Sequence, residues 1–454
     1  MHRPELNALD HRGGPSPFRH LDAARHFHRS RDGIMSIILL HTRNLSRRNH
    51  LARVRDYARE HGERLLMVMK DATWESSYVD RVVSADTTSI EETVAAVRSL
   101  VAEEDEPVRG VVTFVEQSVP AAAAVAAELN LPSNDEKAAY LARDKYAMRS
   151  AFDQAGLVQP GFRLAATLEE AVEGAGQLGY PLVLKPLIGG GSKYVRRVNS
   201  DAELAEHFGT IQKGAWTGFT HDPLHTRTRE QYNDAVLLEA YVPGSEISVE
   251  SVVVDGGTRV VAIHDKPLPM EGPYFEEVYY TTPTRLAAEL VERITTAVEA
   301  AHDALGIRAG ATHTEFRITA DGEPYILETA ARLGGGPVYQ SVLLSTGIDM
   351  VDAVLDVATG REPRLDLPNE PTPTGFYLFF AERAGELVGV SGLNTLETDS
   401  RVSEIMLYGQ PGDQVLVPPH ASAAHGHIVF SATAPEAVDA AFHEFRDAIT
   451  VEVR

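Results

Sequence analysis

Thr312-His313-Thr314-Glu315-Phe316-Arg317-Ile318-Thr319-Ala320-Asp321-Gly322-Glu323-Pro324-Tyr325-Ile326-Leu327-Glu328 sets two apolar runs on either side of Asp321-Gly322. Asp-Gly between alternating apolar residues is the strongest short signal for a β-hairpin, because a two-residue type I′ turn needs positive φ at both central positions. Such a turn pairs Ala320 with Glu323, Thr319 with Pro324 and, at the far end, Glu315 with Glu328. Two carboxylates then face each other on one side of a sheet, their Cβ atoms roughly 5 Å apart. Like charges so placed are destabilising unless a cation lies between them, and oxygen-only ligation suits Mg²⁺ that also holds phosphates. Glu315 and Glu328 are therefore the expected metal ligands, for Mg²⁺ or alternatively Mn²⁺. Phe316, Ile318, Ile326 and Leu327 imply a buried element rather than a solvated hairpin with incidental glutamates, and Arg332-Leu333-Gly334-Gly335-Gly336 follows at once.

The chain has 454 residues, 43% of them hydrophobic, enough for a large core and roughly two to four domains. A formal net charge of -23 leaves no basic field over the surface and argues against a nucleic-acid partner. The absence of cysteine removes disulfides, thiolate nucleophiles and zinc-thiolate sites, and fits a cytoplasmic setting. Apolar stretches such as 111–114 and 249–254 are far too short to cross a bilayer, so no membrane partner is expected.

Residues 1–34 are rich in Arg and His and show no apolar period; they read as a disordered basic tail, with Met35 as an alternative start. Beyond it, apolar strands at 37–41, 65–69, 81–84 and 110–114 alternate with helical stretches at 48–61, 89–104 and 119–129. That alternation implies a parallel sheet covered on both faces. The loop after the first strand, Thr42-Arg43-Asn44-Leu45-Ser46-Arg47-Arg48, lacks a Gly-x-Gly-x-x-Gly fingerprint. Dinucleotide binding is unsupported, and this region reads as a scaffold contributing part of a substrate cleft.

Lys137, Arg143, Lys145 and Arg149 lie on a helix-forming run, ordinarily a charged helix face. Forty residues on, a buried strand ends at Lys185-Pro186 and leads into Leu187-Ile188-Gly189-Gly190-Gly191-Ser192-Lys193. A loop of this kind lets backbone N–H groups approach a polyphosphate while the lysine supplies a point charge. Residues 236–240 then read as a strand, Pro243-Gly244 as a turn and 247–254 as the antiparallel partner. Glu239 and Glu246 bracket that bend, where a purine and its ribose would meet backbone and carboxylate.

In this order, Lys145, Lys185-Pro186 with its glycine-rich loop, Glu239-x-x-Val242 with Glu246, and Glu315 with Glu328 and Arg332 resemble the ATP-grasp superfamily. Glu246-Ile247-Ser248-Val249-Glu250, His264-Asp265-Lys266-Pro267, Pro273-Tyr274-Phe275-Glu276-Glu277 and Thr314-Glu315-Phe316 resemble the bacterial L-amino-acid ligases, loosely over 36–454 and well over 140–350. The resemblance implies an α/β and α+β ATP-grasp architecture. Its parts would be an N-terminal parallel α/β domain (35–135), an ATP-grasp domain (136–360) and a small C-terminal α+β domain (361–454). The glycine-rich loop would belong to 136–240, the metal and substrate region to 241–360.

The implied activity is ADP-forming ligation of an amino acid to the amine of another amino acid or peptide, through an acyl-phosphate, as in dipeptide or secondary-metabolite synthesis. ATP and Mg²⁺ are the implied cofactors, small amino-acid or peptide molecules the partners, and a homodimer a compatible assembly. Carried over, Lys145 and Lys185 hold the ATP phosphates beneath Gly190, Gly191 and Ser192. Glu239 with the Tyr241 and Val242 backbone recognises adenine, and Glu246 the ribose. Arg332 stabilises the acyl-phosphate, with Gly334 and Gly335 bringing backbone donors to it. Lys266, Glu276 and Tyr279 would meet the amino-acid substrates, Glu276 pairing with an ammonium. One departure stands out: the family's usual asparagine two residues after the second glutamate is Ala330, which removes a metal ligand.

The glycine-rich loop and the acidic turn 271–277 read as lids that keep water from the acyl-phosphate. After a Pro-rich linker at 361–373, strands at 374–380, 402–407 and 427–432, a helix at 435–449 and a strand at 451–453 read as an appendage without a catalytic set. Two other classes compete. A carboxylase or formyl-phosphate enzyme is disfavoured by the absence of a biotin-carrier sequence, and a non-catalytic nucleotide-binding protein is favoured only by Ala330.

Overall fold

The computed structural model describes residues 34–454 except Ser422; residues 1–33 of the expected basic tail lie outside them. The first elements are β1 (Ser36–Leu40), α1 (Arg48–His61), β2 (Arg64–Val68), β3 (Arg81–Val83), α2 (Ile90–Glu103), β4 (Val108–Thr113) and α3 (Val119–Leu129). The four strands form a parallel sheet in the order β3-β2-β1-β4. Ile37 and Leu39 of β1 enter one apolar core and Ile38 and Leu40 another, so helices cover both faces, as a run without polar alternation requires.

Next come α4 (Glu136–Leu141), α5 (Lys145–Gln154), β5 (Phe162–Ala165), α6 (Leu168–Leu178), β6 (Leu182–Lys185), β7 (Arg196–Val198), α7 (Asp201–Thr217), α8 (His225–Tyr232) and β8 (Val236–Ala240). Their antiparallel sheet runs β5-β8-β6-β7, with α6 and α7 packed on the core side. The rest comprises β9 (Ser245–Val254), β10 (Gly257–Lys266), β11 (Tyr279–Thr282), α9 (Ala288–Leu305), β12 (Gly310–Ile318), β13 (Pro324–Ala330), α10 (Val338–Thr346) and α11 (Met350–Ala358). It closes with β14 (Thr374–Phe379), β15 (Gly385–Ser391), β16 (Val402–Leu407), β17 (Gln414–Val415), β18 (Gly426–Ser431), α12 (Pro435–Ala448) and β19 (Thr450–Val453).

Two sequence expectations are corrected here. Residues 247–254 do not pair with 236–240: after β8 the chain crosses from one sheet to another, and β9 pairs instead with β10 and β12. Nor do the C-terminal strands merely pack on the central domain as an appendage: β14, β18 and β16 join its sheet. The large sheet runs β13-β12-β9-β10-β11-β14-β18-β16, continuous because the short β11 accepts β14 on its free edge; β17-β15-β19 form a separate small sheet. Among the described residues no helix is long and apolar enough to cross a membrane.

The hairpin β12–β13 pairs Glu315 with Glu328 as expected, but by a different route. Gly322 alone of the central turn residues has positive φ (+80°), and its N–H bonds to the Thr319 carbonyl at 2.9 Å, which makes a three-residue loop rather than a type I′ turn. Ile318, not Thr319, therefore lies opposite Pro324. A bulge between Glu315 and Phe316 on one strand, at Leu327 on the other, restores the register one residue later. Arg149 fastens that bulge, donating to the carbonyls of Ile326 (3.1 Å) and Leu327 (2.6 Å).

Candidate functional site

Lys145, Lys185, Gly190, Gly191, Ser192, Glu239, Tyr241, Val242, Glu246, Glu315, Glu328, Arg332 and Gly335 line a single cleft between the β5–β8 sheet and the large sheet. It encloses about 1260 Å³ including its solvent mouth. The start of α5 is pinned beneath the glycine-rich loop, with the Lys145 N–H bonded to the Leu187 carbonyl at 2.9 Å and the Asp144 side chain capping the helix. Lys145 Nζ reaches Glu328 Oε1 at 2.6 Å. Lys185 Nζ lies 2.6 Å and Arg149 Nε 2.7 Å from the buried Glu239 carboxylate. Burial would raise Glu239, but those two cations overcome it and hold it at about 2.

Beneath the cleft, Lys266 Nζ sits among three carboxylates, 2.7 Å from Glu246, 2.9 Å from Glu315 and in contact with Glu277. One oxygen from each of these acids lies within 4.8 Å of the others. Arg317 Nε meets the other Glu246 oxygen at 3.0 Å. Burial pushes the Glu277 carboxyl up to about 7 against the pull of Lys266. Such concentrated negative charge needs cations, and here Lys266 and Arg317 supply them. The donor set, oxygen-only at Glu315 and Glu328 with both carboxylates reaching for ammonium groups, fits Mg²⁺.

Strand alternation, legible in the sequence, brings His313 and Arg317 to the same cleft as Glu315. His313 Nδ1 lies 2.7 Å from the buried Glu250, and its Nε2 lies 3.5 Å from Glu315. Burial lowers His313, yet Glu250 outweighs it and the residue rises to about 10. His313 also stands directly across the strands from Ala330, which lines the cleft. Arg332 bonds to Glu116, which is 2.8 Å from Arg143. Burial works against the Glu116 charge, but Arg332 and Arg143 bring it down to about 2. Glu116 carried no sequence signal; it arrives from the loop after β4.

Three expected substrate residues are placed differently. Glu277, not Glu276, reaches Lys266; Glu276 is half-buried and raised by burial alone. Tyr279 faces away, stacked on Phe442 at 3.9 Å and bonded to Asp439, while its neighbour Tyr280 turns its ring to Lys266 at 5.0 Å. The Tyr279/Tyr280 placement reflects the alternation of β11, whose phase is set by its pairing with β14. Gly334 lies outside the cleft lining and presents its carbonyl to Arg47 Nη1 at 3.2 Å. The expected acidic lid is tied to β7, since the Arg197 N–H bonds to the Pro273 carbonyl at 2.9 Å and its guanidinium to the Glu271 carbonyl at 3.1 Å.

Comparison with known proteins agrees with this architecture. Residues 56–133 match the ATP-grasp N-terminal domain, 178–340 the ATP-grasp domain, and 377–454 the L-amino acid ligase C-terminal domain 2. An uncharacterized protein of Sinorhizobium fredii is 29% identical over 74% of this chain and 66% of its own length. The alanine–anticapsin ligase of Bacillus subtilis is 31% identical over 53% of this chain and 52% of its own. The chain thus spans less than two thirds of these relatives. The crystal structure of an L-amino acid ligase from Bacillus licheniformis superposes with a TM-score of 0.76 and 26% identity, covering 92% of this chain and 99% of that one. The chain thus carries an ATP-grasp N-terminal domain, an ATP-grasp domain and an L-amino acid ligase C-terminal domain in that order.

Proposed function

We propose that this protein is an ADP-forming carboxylate–amine ligase that joins two amino acids, or an amino acid and a peptide, through an acyl-phosphate. The observation that carries the reading is the convergence on one cleft of a glycine-rich loop with Lys145 and Lys185, the facing pair Glu315 and Glu328, and Arg332 with Gly335. The names of the relatives and the L-amino acid ligase fold support the same class.

Lys145 and Lys185 bind the ATP phosphates beneath Gly190, Gly191 and Ser192, and each has its carboxylate partner ready to release it. The Tyr241 and Val242 backbone meets the adenine, and Glu246 the ribose. Glu315 and Glu328 would hold Mg²⁺, which when bound would supply neutralisation of the phosphoryl oxygens. A substrate carboxylate oxygen attacks the γ-phosphorus, the bond to the bridging β–γ oxygen breaks, and ADP leaves. The amine nitrogen of the second substrate then attacks the acyl carbon, gives up a proton, and phosphate departs with the acyl C–O bond's electrons. Arg332 offers a fixed planar cation to charge developing on the phosphoryl oxygens. Glu277 is suited to an incoming ammonium. Positioning and electrostatics suffice, and no covalent nucleophile is required.

Phosphate release measured with amino acids singly and in pairs tests the reading. Release that needs both a carboxylate and an amine, with a condensed product by mass spectrometry, is expected. Release driven by bicarbonate alone would overturn it.

A further inference from the structure

Five arginine or lysine side chains among the described residues are buried: Arg47, Arg143, Arg149, Lys266 and Arg317. Four of them are ion-paired with carboxylates. Arg47 is the exception. Only 5% exposed, it gives Nη1 to the Gly334 carbonyl (3.2 Å) and to His50 (2.9 Å), while its Nε has no hydrogen-bond partner. Its neighbour His50 is fully buried and leaves Nδ1 without a partner as well. A buried guanidinium whose contacts are all neutral, with Glu116 acting on it only from a distance, is costly, because a close opposite charge or full hydrogen bonding is needed to offset desolvation. Desolvation and the nearby Arg332 accordingly lower Arg47 to about 10.

The location gives this unpaired charge a direction. Arg47 hydrogen-bonds Gly334, whose neighbour Gly335 lines the cleft, and it lies near enough to Arg332 to feel its charge. It therefore stands behind the glycine run at the acyl-phosphate end, approached from the β1–α1 loop rather than from the nucleotide side. α1, which starts immediately after Arg47, has neither a capping side chain nor an acidic residue in its first turn. In the ligation derived above, the acyl donor's carboxylate is consumed at Arg332 and the nucleotide's charge is met by Lys145, Lys185 and Mg²⁺. The α-carboxylate of an amino acid acting as the amine donor still needs a cation at the acyl-phosphate end, and behind the glycine run Arg47 is a cation with no carboxylate in contact.

We propose that Arg47 binds the carboxylate of the amine-donor amino acid, the Gly334 carbonyl now holding the place of a carboxylate oxygen. Binding there exchanges a neutral acceptor for a charged one, and a guanidinium–carboxylate pair is the stronger and more directional contact. The amine donor is thereby an α-amino acid or a peptide with a free C-terminus, not a simple amine. This rests on the ligase reading.

The test uses the full-length protein and compares, as amine donors, an accepted amino acid and its carboxamide. In the wild type the carboxylate form should be preferred at least tenfold in kcat/KM, through KM. Arg47→Gln should erase that preference, raising the KM for the amino acid while leaving the KM values for ATP and the acyl donor unchanged; Arg47→Lys should restore part of it. Equal use of the two donors by the wild type would overturn the proposal without any variant, guarding against one that fails to fold. Preference intact in Arg47→Gln would also overturn it, as a merely structural arginine would behave that way. No phosphate release with any carboxylate and amine would overturn the ligase reading along with it.

Discussion

Arg332, the cation proposed for the acyl-phosphate, pairs with Glu116 yet lines the cleft with Gly335. Arg332→Lys should leave the fold intact, since Arg143 continues to neutralise Glu116. Lysine loses the planar fork, so kcat/KM should fall by roughly 2–4 kcal/mol in transition-state terms while ATP affinity by calorimetry changes little. Affinity falling in step with rate would move Arg332 to the nucleotide site. A second residue speaks to stability. His41 is 1% exposed with neither ring nitrogen bonded, and burial lowers its pKa to about 4. The folded value lies below the unfolded one, so its contribution is whole above about pH 6.5 and drains as pH falls through 4. The loss approaches roughly 3 kcal/mol. Thermal melts between pH 7 and 4 should therefore show a shallower acid limb for His41→Leu than for the wild type; parallel curves would contradict this.

The hairpin β12–β13 shows how an element reaches the right geometry through a detail that the sequence conceals. Its turn spends one residue more than Asp-Gly suggests, and the bulge at Leu327 returns it, so the facing of Glu315 and Glu328 depends on the bulge and on Arg149. Gly322→Ala, at φ +80°, should thus cost about 1 kcal/mol of stability yet change kcat by less than twofold. A collapse of Mg²⁺-dependent turnover in a folded variant would show that the turn sets the register after all. Elements with strict periodicity were legible: β1, α1 and α3 fall where apolar spacing puts them, and Lys185 ends its strand. The Glu276/Glu277 and Tyr279/Tyr280 choices were not legible, because residues 267–278 carry no period that fixes the phase of β11. Arg47 reads in sequence as part of an ordinary basic loop; only the packing of that loop against the glycine run buries it.

At the scale of the whole molecule, two sheets face one cleft, an antiparallel sheet carrying the glycine-rich loop and a large sheet carrying the carboxylates, while the parallel sheet sets Glu116 and Arg47 behind it against Arg332 and Gly334. What could not be read from sequence is the continuity of that last sheet into the C-terminal strands, since strand pairing across β11 and β14 spans nearly a hundred residues and leaves no local pattern. The C-terminal segment is thereby fixed to the strand that presents Tyr280 to Lys266. Acyl-phosphate formation in the assembled cleft is the central claim, and oxygen tracing tests it most directly. With the acyl donor's carboxylate labelled with ¹⁸O, the account predicts one ¹⁸O transferred to inorganic phosphate for each product formed, with ADP as the coproduct. Unlabelled phosphate, or label appearing in AMP, would contradict it.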